Sequence, residues 1–263
     1  MIRCTALLLS VLPGSRAYVP SRSGRWSWSL PASVLGRSDG SGASMAEASR
    51  FMVDNFWLSS PWMEVDTNVD REKLAAEQNL DLTNVFGERM GKRLVDASLF
   101  TARDDSQALL GMVCCEARLW NGEALATGLQ TEEMVKNAVS SVGPKQRRQY
   151  KDASVPEIVQ GLLPNYEAVC YLSNLSVSPA SRGQGIAQLL CAAVDEQARL
   201  WGFSSVVLKV ETANQAALKL YGKLGFELER EVSEEPAPRV DSASSTFTEI
   251  SVDSKILRKF LTE

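Results

Sequence analysis

Apolar residues along this 263-residue chain recur with two different periods, and the switches between them mark out elements. Between residues 51 and 65, a run that includes Trp57 and Trp62, the spacing is mixed, and a strand leading into a helix is predicted. Residues 71–90 place Leu74, Leu80 and Val85 at helical spacing, with Gly91 positioned to stop the helix. Two β-rich runs, 93–103 and 108–120, flank the polar turn Asp104-Asp105-Ser106 and read as a hairpin. The stretch 121–166 is broken by Gly, Asn and Pro. One short helix near residues 132–139 and a basic cluster of Lys145, Arg147, Arg148 and Lys151 mark it as a surface insertion.

From residue 168 the pattern sharpens. Residues 168–177 are apolar on both faces, as suits a strand in the middle of a sheet. Ser178-Pro179-Ala180-Ser181 breaks that run. Ile186, Leu189, Leu190, Ala193 and Val194 then follow the i, i+3, i+4, i+7, i+8 rule of an amphipathic helix, with Gly202 just past its end. A second strand and helix are predicted at 204–211 and 215–224, the helix capped by Thr212 or Asn214 and closed by Gly225. A strand begins at 226–229, a last one is predicted at 247–252, and 255–261 follows it.

Composition separates the start of the chain from the rest. Residues 1–38 hold Arg3, Arg16, Arg22, Arg25 and Arg37 and no acid, and 38–44 is a Gly/Ser linker. The apolar run at 6–12 is far shorter than the roughly 20 residues that cross a bilayer, so no membrane anchor is expected. Residues 1–45 therefore read as a targeting presequence outside the fold. A signal-like run followed by a transit-like run, with Tyr18 opening the second part, resembles two-part plastid presequences; a mitochondrial address is the alternative. The body from residue 46 onward carries 23 basic and 31 acidic side chains. That balance argues against a nucleic-acid surface and suits a cationic acceptor.

No histidine occurs anywhere, which removes Ser-His-Asp and Cys-His nucleophiles, His-ligated zinc and His bases. The five cysteines form no C-x-x-C pair, and Cys114 and Cys115 would point to opposite faces of a strand. They read as small buried apolar residues, and no metal is expected.

The chemistry concentrates in the loop Arg182-Gly183-Gln184-Gly185-Ile186-Ala187, between the central strand and the amphipathic helix. The first amides of a helix lack intrahelical acceptors and sit at the positive end of its dipole. Gly183 and Gly185 would let a phosphate approach those amides, and Arg182 adds positive charge. A Walker loop would need Gly-Lys-Ser/Thr, and a dinucleotide fingerprint would need a third glycine.

Three blocks in order then resemble the GNAT N-acetyltransferases: Leu175-Ser176-Val177; Arg182-x-x-Gly185-x-Ala187; and Asn214-x-Ala216-Ala217-x-x-Leu220-Tyr221-x-x-Leu224-Gly225-Phe226. The resemblance covers about 60 residues and implies an α+β, three-layer fold. Its central sheet would be mixed and mostly antiparallel, flanked by helices, with a splayed strand pair that binds acetyl-CoA as co-substrate. It further implies that Leu175, Ser176 and Val177 pair with the pantetheine arm, that Arg182 through Ala187 hold the pyrophosphate, and that Asn214 contacts the arm. Tyr221 matches the tyrosine that protonates the leaving thiolate. A glutamate used as base by some relatives is replaced here by Lys209, which leaves Glu167 or Glu211 as candidate bases.

The wording of residues 171–177, with Trp201-Gly202-Phe203, looks closest to plastid and cyanobacterial members. That resemblance implies transfer to protein N-terminal α-amines and/or lysine ε-amines in the plastid, with 121–166 near the acceptor. The alternatives are a small-molecule amine acetyltransferase, acting on a polyamine or amino acid, and a non-catalytic acyl-CoA-binding regulator.

Overall fold

A computed structural model of the chain describes residues 34–262, except 64, 66–67 and 89–93. Residues 1–33 and Gly91 lie outside the described residues. Among the described residues seven strands form one sheet: β1 (Val34–Arg37), β2 (Ala97–Arg103), β3 (Leu109–Trp120), β4 (Glu167–Val177), β5 (Ser205–Glu211), β6 (Glu227–Asp241) and β7 (Thr246–Phe260), in the order β1-β2-β3-β4-β5-β7-β6. Neighbours are antiparallel except β4 and β5. That pair is parallel because helix α6 (Ile186–Leu200) carries the chain back across the sheet between them.

The strands read with period 2. Cys115, Ala117, Leu119, Cys170, Leu172, Val206 and Leu208 join the core shared with α6. Leu99, Met112 and Cys114 face the opposite core, built with α1 (Gly42–Met52) and α2 (Arg71–Phe86). The result is a helix–sheet–helix sandwich, the α+β architecture that the resemblance implied.

Four sequence expectations are corrected. Residues 51–65 contain no described strand: α1 runs to Met52, and a π-helical turn follows at Val53–Trp57. A π turn adds a residue to the repeat, so the apolar spacing slips out of phase and reads as mixed. The boundary at residue 45 is also too late. Val34–Arg37 pair with β2, and the Gly/Ser stretch is a helix cap in which the Ser41 side chain accepts from the Ser44 amide. Ser, Asp and Gly serve linkers and N-caps alike, so composition could not separate the two.

Residues 121–166 are no surface insertion. They form α3 (Gly128–Ser141), α4 (Pro144–Gln149) and α5 (Val155–Leu162), and Val135, Val155, Ile158 and Val159 are buried in the main core. Capping boxes at Thr127/Gln130 and Ser154/Glu157 start two of these helices. At the other end of the chain, the expected strand 247–252 and the segment 255–261 after it are, through Phe260, one strand, β7 (Thr246–Phe260), paired with an equally long β6 through bulged register.

Candidate active site

The site begins where β4 and β5 part. Only Cys170, Tyr171 and Leu172 pair with Val206, Val207 and Leu208. Beyond them β4 continues to Val177 and β5 to Glu211 without pairing further with each other. The divergence coincides with a bulge. Met112 and Cys114 on β3 face Ser176 and Ser173, so two residues of β4 oppose one of β3, and Asn174 takes a positive φ of 55°. A bulge bends its strand, and the bend here carries the end of β4 away from β5.

The glycine loop closes the far end of the gap. A 3-10 turn at Pro179–Ser181 leads into Gly183 and Gly185, whose φ values of 76° and 84° are left-handed. Gly185 is the N-cap of α6, and no side chain caps that helix, so its leading amides are left for a ligand. The helix sits tightly on the sheet because β3 has Gly111 beneath it. A Cβ there would lie 3.0 Å from Ile186 Cγ2, Leu190 Cδ1 and the Ser176 carbonyl.

Tyr221 enters from α7 (Gln215–Lys223). Asn214 caps that helix, its Oδ1 accepting from the Ala217 amide at 3.1 Å. At the other end the Phe226 amide donates to the Tyr221 carbonyl at 3.0 Å and the Gly225 amide to Gly222 at 3.2 Å. This is a Schellman closure around left-handed Gly225, and it packs the Tyr221 and Phe226 rings edge to face, 5.5 Å apart. Burial pushes the Tyr221 phenol above its ordinary value, with Cys191 and Tyr171 adding to the effect. The hydroxyl is therefore protonated throughout the physiological range.

These parts line a cleft of about 930 Å³. Leu175, Ser176, Val177, Arg182, Gly183, Gly185, Ile186, Ala187, Asn214 and Tyr221 all face it. The cleft is lined further by Asn55, Phe56, Trp57, Ser60, Pro61, Trp62 and Met63, after α1, and by Pro236, Ala237 and Pro238 of β6. The β6–β7 hairpin reaches this place because it docks on α2. The Phe247 amide donates to Glu77 at 3.1 Å, Lys73 Nζ to the Ser244 carbonyl at 2.7 Å, and the Phe247 ring lies 4.9 Å from Trp57.

The Acetyltransferase (GNAT) family pattern matches residues 66–226, which include the diverging strands, the glycine loop and α7. The chain belongs to that family. It is 44% identical over 63 residues to Probable N-acetyltransferase family 8 member 5 of Mus musculus, covering 24% of this chain and 28% of that protein. With N-acetyltransferase 8F1 of Rattus norvegicus it shares 46% over 56 residues, 21% of this chain and 25% of that one. The chain thus spans about a quarter of the length of the curated relatives it matches. Its fold is similar to the crystal structure of Arabidopsis thaliana NAA60 in complex with a bisubstrate analogue. That match has a TM-score of 0.50 at 15% identity, over 87% of this chain and 100% of that one.

Within this GNAT fold several side chains depart from the sequence reading. The Arg182 guanidinium is committed to scaffolding: it donates to the Val177 carbonyl at 3.1 Å, the Asn55 carbonyl at 3.0 Å and Ser59 Oγ at 2.9 Å. It ties the end of β4 to the turn after α1. Gln184 does not line the cleft; its side chain turns back to the Ala180 carbonyl at 3.1 Å.

Neither candidate base is free to act as one. Glu167 sits at the opposite end of β4, on a second, shallower cleft of about 500 Å³, where it binds Arg258 at 2.7 Å. Five residues of strand, roughly 17 Å, separate it from Leu172, where the β4–β5 pairing ends. Glu211 does line the cleft, but Arg239 grips both of its oxygens at 2.8 and 2.5 Å. Lys209, in the place of the relatives' glutamate, is paired with Glu235 at 2.8 Å. Residues 121–166 contribute nothing to the large cleft. Arg239 and Glu235 were missed because they act across the sheet from a strand whose extent the sequence pattern concealed.

Proposed function

We propose that this chain is an acetyl-CoA-dependent N-acetyltransferase that moves acetyl directly to a primary amine on a protein, an N-terminal α-amine and/or a lysine ε-amine. One observation carries the reading. The parted strands, the left-handed glycine loop and Tyr221 converge on a single cleft. The fit to acetyl-CoA is chemical. Free backbone of β4 can pair with the amides of the pantetheine arm, and buried Ser176 Oγ lacks a partner beside it. The leading amides of α6 suit a pyrophosphate. The name N-acetyltransferase borne by the mouse and rat relatives agrees with an amine acceptor.

In the reaction the neutral amine forms a bond to the thioester carbonyl carbon, and the carbon–sulfur bond breaks. Tyr221 donates its proton to the departing sulfur. The proton shed by the ammonium passes to water in the cleft, since Glu211 is held by Arg239 and Glu167 lies elsewhere. Among the described residues no cysteine suits an acyl-enzyme: Cys114, Cys115, Cys170 and Cys191 are buried, and burial pushes the Cys191 thiol up to about 12.

The acceptor class is tested by incubating the full chain with acetyl-CoA and a mixed peptide pool, read by mass spectrometry. Acetylated peptides are expected. Turnover of polyamines or amino acids without peptide product would transfer the chain to small-molecule chemistry, and acetyl-CoA binding without any product would make it a regulator. Residues 1–33 carry four of the five leader arginines and no acid, and we read them as a plastid address. A fluorescent fusion of that segment that enters mitochondria, or neither organelle, would refute this.

A further inference from the structure

The turn after α1 is the end of a helix. There α1 passes into the π turn Val53–Trp57, and the Leu58 amide donates to the Val53 carbonyl at 3.0 Å. The last carbonyls of a helix have no amides of a further turn to bond, and they form the negative end of its dipole. The Asn55 carbonyl is one of these. Ser59 Oγ donates to it at 2.6 Å and Arg182 Nη2 at 3.0 Å, and Arg182 Nη2 also donates to Ser59 Oγ at 2.9 Å.

Arg182 comes to this helix end from 127 residues further along the chain, and it belongs to the loop whose glycines lead to the amides of α6. Its Nε is fixed at the same time on the Val177 carbonyl of β4, at 3.1 Å. One planar group thus joins β4, the glycine loop and the end of α1. A lysine ammonium could not replace it, being a single point of charge on a flexible stem. Residues 55–57, before this joint, and 60–63, after it, line the cleft.

We infer that Arg182 is a positioning residue for the acceptor. It acts through the Asn55 carbonyl and Ser59 Oγ, holding in place the turn that borders the acceptor, and its guanidinium adds little to the grip on acetyl-CoA. This rests on the acetyltransferase reading above and goes beyond it. It also reverses what the motif implies for this side chain: the resemblance gives Arg182 to the pyrophosphate, whereas its hydrogen bonds give it to the other substrate. Arg182→Lys keeps the charge on the loop and removes the joint, so that variant separates the two roles.

The test uses the full chain, acetyl-CoA and, as acceptor, a peptide with a free N-terminus and an internal lysine. Arg182→Lys should raise the KM of the peptide about fivefold while acetyl-CoA affinity, measured by calorimetry, stays within about twofold. Ser59→Ala should raise the peptide KM about threefold, and the double variant should be no worse than Arg182→Lys alone, because both cut one joint. Amide hydrogen exchange of residues 58–63 should quicken in Arg182→Lys, and that of α6 should not change. Acetyl-CoA binding weakened about tenfold with an unchanged peptide KM would return Arg182 to the pyrophosphate and overturn the inference. Both KM values rising together, Ser59 and Arg182 effects that multiply, or unchanged exchange at 58–63 would overturn it as well. A parent chain that acetylates no peptide refutes the protein-acceptor reading instead, and the exchange measurement then decides whether Arg182 holds the turn.

Discussion

One wall of the cleft comes from a single stretch of chain, β4 through α7, and the other joins the turn after α1 to a strand near the opposite end of the chain. On the first wall the working groups are mostly backbone: unpaired strand edge, left-handed glycines and the amides of α6. On the second they are side chains, aromatic rings and prolines held in place by ion pairs and by docking on α2. A ligand gripped by backbone needs only the right conformation, which a short motif can specify. A surface made of side chains depends on how distant segments pack, and it can change while the first wall stays the same.

The comparison predicts that the two walls fail differently. Tyr221→Phe strikes the first wall at the chemistry and should lower kcat about 10²-fold, with acetyl-CoA binding measured by calorimetry unchanged. Loss of binding would make Tyr221 a packing residue against Phe226. Arg239→Met releases Glu211 and loosens the hairpin. It should raise the KM of the acceptor peptide severalfold, about 1 kcal/mol, and leave that of acetyl-CoA alone. If instead the acetyl-CoA KM moves, the two walls are not separable. The smallest effect lies in the scaffold. Glu47 is bound by Arg103 at 2.8 and 2.5 Å, and that contact holds its carboxyl below the usual value. The stability it adds is full above the ordinary carboxylate range and disappears as pH falls through the lowered value. With partial exposure it amounts to about 0.5 kcal/mol. Denaturation midpoints of Glu47→Gln and the parent chain should therefore differ at neutral pH and converge in acid, once the pH has fallen through the lowered value, with both activities equal.

What the sequence made legible follows the same division. Gly183, Gly185, Asn214 and Tyr221 were readable because each works through a local rule: a positive φ, a helix cap, a position on one helix face. Helix α6 and its Gly202 stop were equally local, and the Phe203 amide does donate to the Ala198 carbonyl at 2.9 Å. The turn after α1 was misread because a π turn shifts its phase. The hairpin was read short because bulges between Val232 and Glu235 interrupt its alternation. Glu211 was placed correctly beside the cleft, but its partner Arg239 lies on β6, a strand that pairs with β7 and not with β5. No spacing rule connects those two residues.

The central claim is that the leading amides of α6, reached past Gly185, hold the pyrophosphate of acetyl-CoA. Calorimetric titration of acetyl-CoA into the parent chain and into Gly185→Asp tests it most directly. The substitution forces a side chain onto a φ of 84° and sets a carboxylate where the phosphates would lie. Binding to the parent chain and at least tenfold weaker binding to the folded variant is the predicted result; equal affinity in both would contradict it.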